Sequence, residues 1–209
     1  MVKQIAEGLK VFHSNEAIHQ DLKPANIMLT NQSILAGDPQ ALIVDFGSVY
    51  VAGLAELQRP LMHEGALGTA SYSDPLYLLG RNPGIQGDVY ALATITYEIF
   101  TGHLPYGETI EECRTAIDYD RLRYKSASQH NPQIPLWFDG ALEKGVAFDL
   151  QQRYTNIDTF MTDITQPNPL FLRADPVVEK NASSLTLWKL LSGFWFLTLL
   201  LVIYLFSRF

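Results

Sequence analysis

One stretch near the start limits what this chain can fold into: His19-Gln20-Asp21-Leu22-Lys23-Pro24-Ala25-Asn26. It runs into an apolar, strand-like segment, Ile27-Met28-Leu29. A polar turn follows across Asn31 to Gln40, with Gly37-Asp38-Pro39 inside it, and then a second apolar run, Leu42-Ile43-Val44, leads into Asp45-Phe46-Gly47. The two runs read as short strands joined by a turn. Paired, they place Asn26 and Asp45 at neighbouring loop ends, where an amide and a carboxylate oxygen suit a hard cation such as Mg²⁺. A plain surface loop with acidic turn residues does not account for the order and spacing of these parts.

The chain has 209 residues, room for one ordinary domain and an appendage, and a hydrophobic fraction of 47% supports a packed core. The net charge of −7 argues against a broad basic surface for nucleic acid, while a local phosphate site needs only a few placed donors. The single Cys113 cannot form an internal disulfide and has no metal cluster around it in sequence. Met1-Val2-Lys3-Gln4 opens an amphipathic pattern without a long apolar run, so no secretory signal is expected.

Val2, Ile5, Ala6, Leu9 and Phe12 recur at helical spacing and predict an opening amphipathic helix that stops near His13-Ser14-Asn15. His13 reads as a helix-end or core histidine; His63, His103 and His130 also lack partners at ligand spacing. Val89 to Phe100 is apolar nearly all round and predicts a buried helix. Gly87-Asp88 is expected to start it, with the Asp88 side chain accepting from free backbone N–H groups. Glu111 to Asp120 reads as a charged, solvated helical segment. Pro135 is expected to open a helix with Trp137, Ala141, Leu142 and Val146 on its buried side. Asn156 to Ile164 should close the globular part, which ends at Pro167-Asn168-Pro169.

Beyond a polar linker, 173–184, the segment 185–209 carries an uncharged run from Leu190 to Phe206. With Leu185 to Trp188 it reaches about 20 residues, the length needed to cross a bilayer of about 30 Å. Trp188, Trp195 and Tyr204 suit interfacial positions, and Lys180 and Lys189 on its near side predict a single-pass membrane protein with the large domain, 1–172, in the cytoplasm.

The segment from His19 to Asn26, together with Asp45-Phe46-Gly47, resembles the catalytic loop and metal-binding segment of the protein kinase family. Lys23-Pro24-x-Asn26 looks like the serine/threonine class. Gly68-Thr69 before Tyr72-Ser73-Asp74-Pro75, Gly87-Asp88-Val89-Tyr90, Thr101-Gly102-His103-Leu104-Pro105-Tyr106 and Arg153 extend the likeness over most of the chain. The resemblance implies a mainly α fold: a kinase-like C-terminal lobe with a small β-hairpin at the catalytic loop, plus the C-terminal transmembrane helix. It implies transfer of the ATP γ-phosphate to Ser or Thr of protein substrates. Asp21 would be the base, Lys23 would sit on the transferring phosphate, and Asn26 and Asp45 would hold ATP-bound Mg²⁺. Thr69 would contact the substrate loop, with His19, Asp88 and Arg153 in support.

Two departures stand out. Gln20 replaces an Arg that pairs with a phosphorylated loop residue in many kinases, so activation by loop phosphorylation is not expected. Leu76 replaces a Glu that would pair with Arg153, leaving Asp74 or another acid to take over or Arg153 to turn to solvent. The family's Gly-rich loop, phosphate-pairing Lys and helix Glu have no counterpart before His19. The order of catalytic lobe, linker and apolar tail resembles bacterial proteins that fuse a phosphatase to a membrane-anchored kinase. That likeness implies an N-lobe, or a phosphatase segment with it, supplied from upstream or by a partner chain. The alternative is a kinase-like binding module that no longer transfers phosphate.

Overall fold

The apolar run after Gly84 forms helix α3 (Ile85–Thr101), in which every residue from Gly87 to Tyr97 is buried. A helix apolar on all sides needs partners around it. They are α1 (Val2–Ser14), which buries Ile5, Ala6 and Leu9, and α6 (Leu136–Gly145), which buries Phe138, Ala141 and Leu142. Helix α7 (Ile157–Thr165) packs on α6 and α1 through Ile157, Phe160 and Ile164. Gly145 lets α6 come close: a Cβ there would lie 2.6 Å from the Ala93 Cβ. Each large apolar side chain fully buried in this core contributes about 1.5–3 kcal/mol.

This computed structural model describes residues 1–30, 39–51 and 70–172. Chain contacts separate a unit Met1–Leu172 from Arg173–Phe209, and the described residues all belong to the first. Strands β2 (Ile27–Leu29) and β3 (Ala41–Ile43) form the expected antiparallel hairpin, in the register Ile27↔Ile43, Met28↔Leu42 and Leu29↔Ala41. Its turn at 31–38 lies outside the described residues. A second small pair, β1 (Ala17–Ile18) with β4 (Tyr50–Val51), brackets the catalytic-loop segment. The remaining helices are α2 (Pro75–Leu78), α4 (Ala116–Arg121) and α5 (Ala127–His130).

Several expectations are corrected. The transmembrane helix finds no support: among the described residues no helix is long and apolar enough to cross a membrane. The apolar α3 carries Asp88 and Glu98 and owes its composition to burial inside the lobe. The tail at 185–209, where that helix was expected, lies outside the described residues, as does the 173–184 linker. Helix α3 starts at Ile85, a turn earlier than expected, so Asp88 is inside its first turn and does not cap it. The Glu111–Asp120 segment is split into a 3-10 turn (Glu108–Glu112) and α4, because Thr115 and Asp118 form a capping box that starts a new helix. Phe138 takes the buried position expected of Trp137, which is only partly buried.

Leu76 leaves no gap in the ion pairing of Arg153. Asp74, two residues earlier, pairs with the Arg153 Nη1 group, and both side chains are fully buried. The other carboxylate oxygen accepts from the Leu76 backbone N–H at 2.9 Å and so caps α2. Arg153 also donates to the carbonyls of Ala147 (2.7 Å) and Gln86 (2.9 Å), and its guanidinium lies 5.1 Å from the Tyr90 ring centroid. A buried charge stripped of its partner costs about 3–5 kcal/mol. Asp74→Ala should therefore lower the unfolding free energy by about that amount in urea titrations. Asp74→Ala combined with Arg153→Met should recover part of the loss, because no buried cation is then left unpaired.

Candidate active site

The residues from His19 to Asn26 form a loop between β1 and β2, held from below by the start of α3. Asp88, 1% exposed, accepts the His19 backbone N–H on Oδ2 at 2.9 Å and the Gln20 backbone N–H on Oδ1 at 3.0 Å. These bonds hold Gln20 at φ +68, a left-handed conformation that a non-glycine residue adopts only when its surroundings enforce it. The next residue is Asp21. His13 completes the Asp88 environment, its Nε2 lying 2.9 Å from Asp88 Oδ2.

Asp21, Lys23 and Asn26 converge. Lys23 Nζ donates to Asp21 Oδ2 at 2.7 Å. The Asn26 amide N–H₂ donates to the Asp21 carbonyl at 2.8 Å and to Asp21 Oδ2 at 3.2 Å. With its nitrogen so engaged, Asn26 has its amide oxygen left for a ligand. Pro24 opens a 3-10 turn (Pro24–Asn26) that brings Asn26 back under Asp21.

The hairpin delivers Asp45. Its ladder extends by one bond, Val44 N–H to the Asn26 carbonyl at 2.8 Å, so Asp45 leaves the strand beside Asn26. Asp45 is exposed, sits at φ +64 and accepts the Gly47 N–H on Oδ1 at 3.2 Å. Phe46 extends back to Phe12 of α1, with ring centroids 5.5 Å apart, and to His19 at 6.4 Å. His19 is fully buried, and neither ring nitrogen has a hydrogen-bond partner among the described residues. It acts through packing, edge-on to Phe12 at 5.8 Å.

The amide oxygen of Asn26 and the carboxylate of Asp45 are of the hard oxygen-donor type that Mg²⁺ takes, with the remaining positions filled by water and phosphate. Among the described residues no three His, Cys, Asp or Glu side chains gather to form a self-sufficient metal cage. The site thus fits a metal that arrives with its own oxygen ligands. Met28 and Leu42, paired across the hairpin, leave an apolar face about half exposed beside these oxygens (50% and 48%). Thr69 lies outside the described residues, while Arg153 sits apart from this loop in its own ion pair. The sequence reading missed His13 and Gln86. Gln86 donates to the carbonyls of Leu150 and Tyr154 while its own carbonyl accepts from Arg153.

Asp21, Lys23 and Asn26 thus meet on the loop between β1 and β2. The family profile described as protein kinase domain matches residues 1–167, and the chain belongs to the protein kinase family. It is 35% identical to the serine/threonine-protein kinase Pkn1 of Myxococcus xanthus over 77% of the chain and 22% of that protein. It is 25% identical to a probable serine/threonine-protein kinase, PknB, of Lactococcus lactis subsp. lactis over 87% of the chain and 27% of that protein. The chain spans about a quarter of the length of these curated relatives. Among solved structures, the kinase domain of Mycobacterium tuberculosis PknI is similar in fold, with a TM-score of 0.56 at 23% identity. The match covers 80% of this chain and 53% of that one.

Tyr77 packs against the support of the loop. Burial pushes its hydroxyl well above the usual tyrosine range, and the nearby Asp88 and Asp74 carboxylates add to the effect. Gly87 makes room for it: a Cβ there would lie 2.7 Å from the Tyr77 hydroxyl and 2.9 Å from Pro83 Cγ. Gly87→Ala should cost about 1–3 kcal/mol of stability through this overlap. The cost should shrink in a Tyr77→Ala background, a coupling that denaturant midpoints of the four proteins would read.

Proposed function

We propose that this lobe transfers the γ-phosphate of ATP to Ser or Thr hydroxyls of protein substrates. The observation that carries the reading is the convergence of Asp21, Lys23 and Asn26, with Asp45 brought alongside by the Val44–Asn26 backbone bond. Asp21 Oδ2 is occupied by Lys23 and Asn26, whereas Oδ1 has no donor among the described residues. Oδ1 is therefore the oxygen that orients the substrate hydroxyl and receives its proton as the new O–P bond forms and ADP leaves. Lys23 is within reach of the same locus and balances negative charge developing on the transferred group. Asn26 and Asp45 would hold the metal through amide and carboxylate oxygens. Bound Mg²⁺ supplies charge neutralisation of the phosphates.

Backbone bonds to Asp88 and the hairpin register beneath these groups support the reading. A non-catalytic binding module would account for the missing N-lobe and for Leu76, but Leu76 leaves no unpaired charge to account for, because Asp74 pairs with Arg153. Protein substrates and an N-lobe from upstream sequence or a partner chain complete the proposal.

The test is phosphate transfer from radiolabelled ATP to a Ser/Thr protein substrate, using the native polypeptide or this chain supplemented with a kinase N-lobe. Asp21→Ala should reduce kcat by about 10²–10⁴-fold, read on protein shown to be folded by its unfolding transition. Chelation of Mg²⁺ with EDTA should stop transfer, and added Mg²⁺ should restore it. Transfer that survives Asp21→Ala would exclude the assignment of the base.

A further inference from the structure

We propose that His103 and His130 form a binding site for a divalent transition-metal ion of the zinc class, with water completing its shell. Sequence spacing gives neither histidine a ligand partner, and the fold supplies one. The two imidazole rings face each other with centroids 4.1 Å apart and planes tilted by 31°. Both residues are exposed, and among the described residues neither ring makes a hydrogen bond or an ion pair. The pair shares no residue with the Asn26–Asp45 locus and is independent of the phosphotransfer reading.

Both rings are carried on fixed backbone. Helix α3 ends at Gly102, which turns the chain at φ +72. Thr101 Oγ1 then accepts the His103 backbone N–H at 3.1 Å and donates to the Tyr97 carbonyl at 2.7 Å. His130 stands in the last turn of α5. The Asn131 amide N–H₂ ties that turn to α3 by donating to the Phe100 carbonyl at 3.0 Å, and Asp139 accepts the Ala127 N–H at the other end of α5 at 2.8 Å. The Tyr97 ring lies edge-on to His130 at 6.4 Å. Zinc binds imidazole nitrogen at about 2.0–2.1 Å, so two rings sharing one ion need their nitrogens within about 4 Å of each other. The ring spacing meets that limit, and the exposed side chains have only to turn about their own bonds.

The surroundings select the ion. Both histidines line a cleft of about 410 Å³, together with Glu98, Glu108 and Lys125. Two carboxylates against one ammonium leave the cleft net acidic at neutral pH, where imidazoles are largely uncharged. That balance favours a cation over an anion. Imidazole nitrogen in turn favours zinc, copper or nickel over Mg²⁺. Glu98 already accepts the Tyr72 hydroxyl at 2.7 Å, and among the described residues no third His, Cys, Asp or Glu joins the pair at metal-binding geometry. The carboxylates therefore act through their charge, water fills the open positions, and Lys125 opposes the ion.

The test is calorimetric titration of the full chain with ZnCl₂. A single ion per chain should bind. His103→Gln and His130→Gln should each abolish binding, while His63→Gln retains it. Lys125→Met, which removes the opposing charge, should tighten binding about threefold. On the unmodified chain loaded with Cu²⁺, pulsed EPR should show two coupled imidazoles, a reading that holds whether or not a variant folds. Binding that survives either His103→Gln or His130→Gln, binding lost in His63→Gln, no tightening in Lys125→Met, or a copper ion with fewer than two imidazoles would each overturn the proposal.

Discussion

A single buried carboxylate governs the geometry of this lobe. Asp88 stands in the first turn of the fully buried helix α3 and points at the backbone of the loop that carries Asp21. Burying a carboxylate is costly unless its oxygens are hydrogen-bonded. Here two backbone N–H groups and the His13 ring meet the requirement, so the loop can relax only by exposing a charge to an apolar interior. The penalty for that relaxation keeps Gln20 in a left-handed conformation that its side chain does not favour.

The second buried charge follows the same logic in a different place. Arg153 pairs with Asp74 and donates to two backbone carbonyls beside the Tyr90 ring, and Asp74 in turn caps α2. Both clusters meet helix α3 near its start: Asp88 joins it to the loop before β2, and the Arg153 pair, through the Gln86 carbonyl, joins it to the segment that begins α2. The rigidity of α3 is transmitted to the site through hydrogen bonds, while its apolar faces are occupied with holding the lobe together.

Much of this was legible in the sequence where periodicity or local spacing carried it. The Ile5, Ala6 and Leu9 stripe predicted α1, the all-round apolar run predicted α3, and the two short apolar segments around a polar turn predicted the β2–β3 hairpin beneath Asn26 and Asp45. What was not legible depended on convergence of distant residues. Strands β1 and β4 are two residues each, too short for any pattern. The partner of Arg153 lies 79 positions away, and sequence could only name Asp74 among the possibilities. His13 looked like a helix-end residue because its contact is with a carboxylate 75 positions on. The start of α3 was misplaced because Asp88, a residue type that favours caps, spends its carboxylate on another segment.

The span of these contacts also sets an order of events as the chain is made. The bonds that shape the loop join residues 68 and 69 positions apart, and the Asp74–Arg153 bond spans more. Closing such spans costs chain entropy before any contact forms to offset it. A nascent chain that has emerged only through Asn26 lacks Asp88, whose carboxylate holds the His19 and Gln20 backbone. The loop takes its working shape only after α3 has been synthesised and has docked on α1, and the segment around Asp74 becomes fixed later still, once Arg153 arrives. The shape of the loop is thus owed to residues far along the chain, Asp88 for its backbone and Arg153 for the segment around Asp74.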